Sequence, residues 1–111
     1  MSESIKLEEL ERGIEGRSLV LVEALARPYY ERGHLPGARA LPLEGLQENA
    51  ARVLPDKTAE IVVYCSGPTC NNSDVAGRAL RALGYTRVRV FKGGKAEWIE
   101  AGHTLETSAA A

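Results

Sequence analysis

Two cysteines lie in one short polar segment that directly follows a run of four apolar residues. Cys65 comes right after residues 61–64, and Cys70 lies five residues further along the chain. The rest of the segment is small, polar or turn-forming: Ser66, Gly67, Pro68, Thr69, Asn71, Asn72 and Ser73. Successive backbone N–H groups in such a loop can point at one atom and form a concave anion site. These residues therefore suggest nucleophilic chemistry by a thiolate.

Cys65 is the expected nucleophile, because it stands at the carboxyl end of a predicted strand, where open α/β sheets bind their ligands. Ser73 is the predicted N-cap of a helix that begins at Asp74 or Val75. The helix N-terminus and the loop amides both favour a negative sulfur, so we expect the pKa of Cys65 to lie below its ordinary value of about 8.5. The alternative is that Cys65 is a small buried hydrophobic residue.

Cys70 has two possible roles. It is either a spectator on the rim of the loop or a resolving thiol that attacks a persulfide or sulfenate on Cys65 and closes a disulfide. The two cysteines and two distant histidines, His34 and His103, lack the spacing of a zinc site, so no metal is expected. His34 lies in a turn and could act as a general base, because histidine titrates near neutral pH.

The elements that would position this loop alternate between extended and helical patterns. Apolar or mixed runs predict strands at residues 19–22, 38–41, 61–64 and 88–91. Amphipathic patterns predict helices between them, and the clearest covers residues 76–83. This alternation predicts an α/β fold with a parallel central sheet of about five strands and helices on both faces.

Length and composition limit the class of protein. The 111 residues suffice for a single domain, and 44% hydrophobic with 26% charged residues excludes a disordered chain. A net charge of -1 gives no reason to expect nucleic-acid binding. There is no apolar run typical of a signal peptide or a membrane span, and two cysteines are too few for a disulfide scaffold. We therefore expect a cytoplasmic protein without membrane contact, ending in a flexible tail over residues 107–111.

Several motifs resemble the rhodanese homology domain, a family of sulfurtransferases. They are LVE at 21–23, ERGHLPGA at 31–38, VVYC at 62–65, LGY at 83–85, GG at 93–94, Trp98 and AG at 101–102. The resemblance covers residues 5–106 and implies a single rhodanese-like domain. It also implies that Cys65 takes a sulfane sulfur from a small donor such as thiosulfate, holds it as a persulfide and passes it to cyanide or another thiophilic acceptor. A sulfur-accepting protein is a further partner that the resemblance suggests, and no metal or organic cofactor is implied. The resemblance also favours a structural role for His34, in which it fixes its turn by hydrogen bonds.

The sequence departs from this family in the loop itself. Active rhodaneses often carry Arg or Lys there, whereas residues 65–73 contain no cation, so an anionic donor would bind through amides and hydroxyls. Lys92 and Lys95 can reach the same end of the sheet, although solvated surface positions are the simpler interpretation. The loop is about two residues longer than usual and resembles that of dual-specificity phosphatases, but phosphate transfer needs a guanidinium that is absent here. Two alternatives to the enzyme stay open: a catalytically weak sulfur-relay or partner-binding module, and a Cys65/Cys70 redox sensor.

Overall fold

The computed structural model describes residues 3–107, so residues 108–111 of the expected flexible tail lie outside the described part. Within that part the chain forms five helices and four strands. In chain order these are α1 (Leu7–Gly16), β1 (Val20–Glu23), α2 (Arg27–Arg32), β2 (Arg39–Ala40), α3 (Leu46–Val53), β3 (Ile61–Tyr64), α4 (Asn72–Ala82), β4 (Val88–Phe91) and α5 (Gly94–Glu100).

The four strands form one parallel sheet in the order β2-β1-β3-β4. Val22 pairs with Val63, and Val63 pairs with Val90, so the three longer strands run in step through the centre of the molecule. Because parallel strands end at the same edge, the segments that follow β1, β3 and β4 meet there. The predicted α/β architecture is confirmed.

The sheet has four strands, close to the predicted number of about five. One further segment, residues 3–5, pairs with β4 but is too short to count as a strand. Ser4 forms a single parallel bridge with Val90. Ile5 donates a backbone hydrogen bond to the Val90 carbonyl at 3.1 Å, and Val90 donates to the carbonyl of Glu3 at 2.9 Å. Residues 3–5 therefore cover the outer edge of β4 without extending the sheet by a full strand.

The core has two halves, one on each face of the sheet. Alternate residues of β3 divide between them: Ile61 and Val63 pack with the α3 and α4 side, whereas Val62 and Tyr64 pack with the α1 and α5 side. A strand covered on both faces is apolar at every position, which explains the unbroken run before Cys65. Burial of both faces fixes β3 and thus the starting point of the loop.

One predicted boundary is wrong. Helix α4 begins at Asn72 with Asn71 as its N-cap, and no side-chain capping bond forms, so Ser73 lies inside the first turn instead of capping it. The earlier start turns the Ser73 side chain inward, where it is fully buried. Among residues 3–107, no helix is both long enough and apolar enough to cross a bilayer.

Candidate active site

The loop that carries both cysteines joins β3 to α4 and rests against the start of α5. The backbone N–H of Lys95 donates to the Cys65 carbonyl at 3.0 Å, and that of Ala96 donates to the Ser66 carbonyl at 2.9 Å. Gly94 allows this close approach, because its φ is +60° and a Cβ there would collide with the Cys65 carbonyl oxygen. Helix α5 therefore holds the first two residues of the loop by backbone contacts alone.

The predicted loop residues divide into an exposed rim and a buried floor. Ser66, Pro68, Thr69 and Asn71 are exposed, Asn72 is half-buried, and Gly67 and Ser73 are buried. The Asn72 side-chain amide donates to the Ala24 carbonyl at 3.0 Å, which ties the start of α4 to the segment after β1. The structure thus brings all the predicted loop residues together around the two cysteines.

The thiol of Cys65 is almost completely buried, with 1% of the residue exposed. Its Sγ lies 3.4 Å from the Ser73 hydroxyl and 3.4 Å from the Cys70 carbonyl, to which the neutral thiol donates. Burial raises the pKa of Cys65, and a hydrogen bond with the Cys70 thiol raises it further, whereas the Ser73 N–H and hydroxyl act in the opposite direction. The expectation that the surroundings lower the pKa of Cys65 is therefore wrong.

Cys70 occupies the amide-lined position that the sequence assigned to Cys65. Burial alone would raise its pKa, but hydrogen bonds from the Cys65 thiol, the backbone N–H groups of Asn72 and Ser66, and the Ser66 hydroxyl lower it overall. Cys70 is only partly buried, and both cysteines are free thiols. These hydrogen bonds favour the thiolate form of Cys70.

A cation does stand at the loop, supplied by the end of β4. Lys92 Nζ donates to the Cys70 carbonyl at 3.1 Å and forms an ion pair with Asp74 in the first turn of α4. Its side chain is 40% exposed, so part of the ammonium group still faces solvent. Of the two positions considered for Lys92 from the sequence, the structure has the one at the cysteine loop. Asp74 balances part of its charge there.

Lys95 is neither a surface charge nor a loop cation. Its side chain is 14% exposed and pairs with the fully buried Glu23. Glu23 Oε2 makes no hydrogen bond but lies 3.1 Å from Lys95 Nζ, so the attraction there is that of two charges. Glu23 Oε1 accepts a hydrogen bond from the Tyr64 hydroxyl at 2.7 Å. Burial and the Glu23 carboxylate both raise the pKa of Tyr64, which stays protonated as a donor.

Sequence reasoning missed this buried polar network beneath the loop. The available signal was a charged residue, Glu23, at the end of an otherwise apolar strand. A buried carboxylate needs a partner, and two basic residues, Lys92 and Lys95, follow β4 at the same edge of the sheet.

The other residues considered from the sequence lie away from the cysteines. His34 is 4% exposed, stacks on Tyr30 and donates from Nδ1 to the Tyr30 carbonyl at 3.0 Å, which fits the structural role. In the described residues, no group of three or more His, Cys, Asp or Glu side chains could hold a metal ion. A cavity of about 620 Å³ lies between α1 and the turn after His34, and none of the loop residues line it.

The protein is thus a parallel α/β domain in which a loop with two cysteines follows the inner strand β3. The family model for the Rhodanese-like domain matches residues 6–101, so the chain belongs to that family. The chain resembles the HTH-type transcriptional regulator Rv0324 of Mycobacterium tuberculosis, with 32% identity over 96% of this chain and 46% of the regulator. It also resembles the thiosulfate sulfurtransferase PspE of Escherichia coli, with 36% identity over 53% of this chain and 55% of PspE.

The fold agrees with a solved structure of the same kind. The rhodanese-like domain of the Anabaena Alr3790 protein superposes with a TM-score of 0.83 at 28% identity, covering 100% of this chain and 85% of that one. The chain spans about half the length of the curated relatives that it matches. These matches relate the chain to the sulfurtransferase family.

Proposed function

We propose that this domain is a sulfurtransferase in which Cys65 carries a sulfane sulfur as a persulfide. The observation that carries the proposal is the position of Cys65: it ends β3, and the Ser73 hydroxyl lies 3.4 Å from its Sγ at the start of α4. A hydroxyl at a helix N-terminus can donate to the negative sulfur that forms when Cys65 reacts. The likeness to PspE, which is named a thiosulfate sulfurtransferase, supports this reaction class.

The reaction consists of two displacements at one sulfur atom. The Cys65 thiolate attacks the outer sulfur of a donor such as thiosulfate, the donor's S–S bond breaks, and sulfite leaves with the bonding electron pair. A thiophilic acceptor then attacks the outer sulfur of the persulfide, and the Cys65 thiolate is restored. The cycle uses no metal or organic cofactor, and it predicts ping-pong kinetics.

The Cys65 thiol must lose its proton before it attacks the donor. The N–H and hydroxyl of Ser73 lower the pKa of Cys65 against the effect of burial, so they stabilise the thiolate that results. The cycle needs both thiols in reduced form, which fits the cytoplasm.

Donor binding relies on the loop amides and on Lys92. The exposed rim offers the Ser66 and Thr69 hydroxyls, and the ammonium group of Lys92 lies at the Cys70 carbonyl with part of its surface open to solvent. These groups can attract an anionic donor without a cation inside the loop. An acceptor, whether a small thiophile or a sulfur-accepting protein, would approach over the same rim.

The second candidate is a catalytically weak module that relays sulfur or binds a partner protein. The observation that favours it is the 1% exposure of Cys65, since a donor must displace part of the loop to reach Sγ. Steady-state turnover with thiosulfate, polysulfide and mercaptan donors separates the two candidates. Negligible turnover with every donor, in a protein that folds normally, would favour the module.

The direct test follows the mass of Cys70→Ser protein after incubation with thiosulfate. We expect a gain of one sulfur atom that disappears when cyanide is added, and no gain in Cys65→Ser protein. If Cys70→Ser protein fails to gain sulfur while Cys65→Ser protein does, Cys65 is not the carrier.

A further inference from the structure

We propose that Cys70 attacks the Cys65 persulfide at Sγ, closes a Cys65–Cys70 disulfide and expels the outer sulfur as hydrosulfide. The domain would then release sulfide from a sulfane-sulfur donor in addition to transferring sulfur. This inference rests on the proposed function, because it starts from a persulfide on Cys65.

The two cysteines are already close together in one loop. The Cys65 thiol donates to the backbone carbonyl of Cys70, which lies 3.4 Å from Cys65 Sγ. Closing the disulfide brings the sulfurs to about 2.05 Å, a movement within one loop that leaves β3 and α4 in place. Gly67 gives the chain between the cysteines its freedom, and the exposed Pro68 and Thr69 have no core packing to lose.

Cys70 has the surroundings of an attacking group. Its sulfur receives hydrogen bonds from the backbone N–H groups of Ser66 and Asn72 and from the Ser66 hydroxyl. These donors stabilise a thiolate, and Cys70 is not sealed from solvent as Cys65 is. A persulfide on Cys65 would thus form in the same loop as a second thiol whose thiolate these donors favour.

Attack on the inner sulfur is favoured by the leaving groups. A thiolate that attacks the outer sulfur expels the Cys65 thiolate, which is the stronger base of the two possible leaving groups. A thiolate that attacks Cys65 Sγ expels hydrosulfide, which is a weaker base and can leave through the rim. The second route therefore competes well with simple migration of sulfur to Cys70.

The release of hydrosulfide needs no oxidant beyond the sulfane sulfur that the donor supplies. The Cys70 thiolate forms an S–S bond with Cys65 Sγ, the bond from Sγ to the protonated outer sulfur breaks, and HS⁻ leaves with the electron pair. The sulfane sulfur is reduced, and the two cysteine sulfurs together lose two electrons. Two equivalents of a low-molecular-weight thiol then reduce the disulfide and restore both cysteines.

The experiment uses thiosulfate without oxygen or added thiol, with three proteins: unsubstituted, Cys70→Ser and Cys70→Ala. Free sulfide is measured, and intact mass is recorded after alkylation of the remaining thiols. We expect the unsubstituted protein to release one hydrosulfide per chain and to end as an internal disulfide that takes up no alkylating agent. Both Cys70 variants should keep one added sulfur on Cys65 and release no sulfide.

The outcomes separate the two proposals. If the Cys70 variants gain sulfur and the unsubstituted protein stays persulfidated without a disulfide, the hydrosulfide step is wrong and the sulfurtransferase proposal stands. If neither Cys70 variant gains sulfur, the Cys65 persulfide itself is wrong. If sulfide appears equally from all three proteins, external thiol or donor chemistry is its source and the role of Cys70 is refuted.

Discussion

Lys95 joins the buried carboxylate of Glu23 to the cysteine loop. Its Nζ lies 3.1 Å from Glu23 Oε2, and its backbone N–H donates to the Cys65 carbonyl at 3.0 Å. One residue at the start of α5 therefore couples an ion pair under the sheet edge to the position of the reactive cysteine. This coupling makes the ion pair a determinant of site geometry as well as of stability.

Removal of one partner should destabilise the fold strongly. Lys95→Met leaves the fully buried Glu23 carboxylate without its cation, which we expect to lower the free energy of unfolding by about 3 kcal/mol. Urea unfolding measures the loss. The double variant Glu23→Gln/Lys95→Met keeps the Tyr64 hydrogen bond and removes both charges, so it should lose clearly less than Lys95→Met alone. A double variant as unstable as the single one would show that packing, and not charge, holds this region.

Gly94→Ala should disrupt the loop, because φ is +60° and the new Cβ would lie 2.8 Å from the Gly67 nitrogen as well as against the Cys65 carbonyl. Backbone strain alone costs about 1 kcal/mol, and the clash with main-chain atoms adds to it. We expect lower stability and a much slower gain of sulfur from thiosulfate. Gly102→Ala is the matched control, since Gly102 has a φ of +97° with nothing within 4 Å of its Cβ position. Equal effects of the two substitutions would refute the close approach of α5 to the loop.

Alkylation of the two cysteines should rise over different pH ranges. Because the pKa of Cys65 is raised and that of Cys70 is lowered, alkylation of Cys70 should reach its maximal rate at a lower pH than that of Cys65. Rates of iodoacetamide labelling, followed by peptide mapping across a pH series, measure both. Cys70→Ala removes a group that raises the pKa of Cys65, so the Cys65 profile in that variant should shift to lower pH. A Cys65 profile that does not move would contradict the hydrogen bond between the thiols.

Lys92 should affect binding of anionic donors more than neutral ones. Lys92→Met removes the ammonium group at the Cys70 carbonyl and leaves Asp74 unpaired, so KM for thiosulfate should rise by about fivefold, corresponding to about 1 kcal/mol. KM for an uncharged organic trisulfide should change little, and Lys92→Arg should retain most of the affinity for thiosulfate. Lys92→Met/Asp74→Asn separates loss of the cation from repulsion by Asp74. A parallel rise in KM for both donors would indicate a structural effect on the loop.

The sheet could be predicted because each longer strand has a hydrophobic pattern within its own residues. An unbroken apolar run predicted β3, and an alternating run predicted β4, at the bounds that the structure has, and β1 was predicted to within one residue. The edge was harder, since residues 3–5 pair with β4 through a single bridge and carry no apolar run. Pairing of such a short segment depends on tertiary contacts and not on its own composition.

The position of the site in the fold could be predicted, but the surroundings of its two sulfur atoms could not. Cys65 follows a buried strand, and that fact alone places it at the functional edge of the sheet. Which sulfur faces the amides depends on how the loop folds back on itself. Helix α4 begins at Asn72, earlier than the start at Asp74 or Val75 that was predicted with Ser73 as its N-cap. That path is set by the contacts of the loop with α5, which lie far along the chain. The identity of Cys65 as the sulfur carrier stays a prediction.

The bridge between Ser4 and Val90 has a consequence for handling the protein. Unprotected strand edges invite pairing between molecules and are a common origin of aggregation. Here residues 3–5 supply the backbone partners that β4 would otherwise present to a neighbouring copy. Truncation past Ile5 would uncover that edge, so a fusion tag belongs ahead of Glu3, with residues 3–5 kept intact.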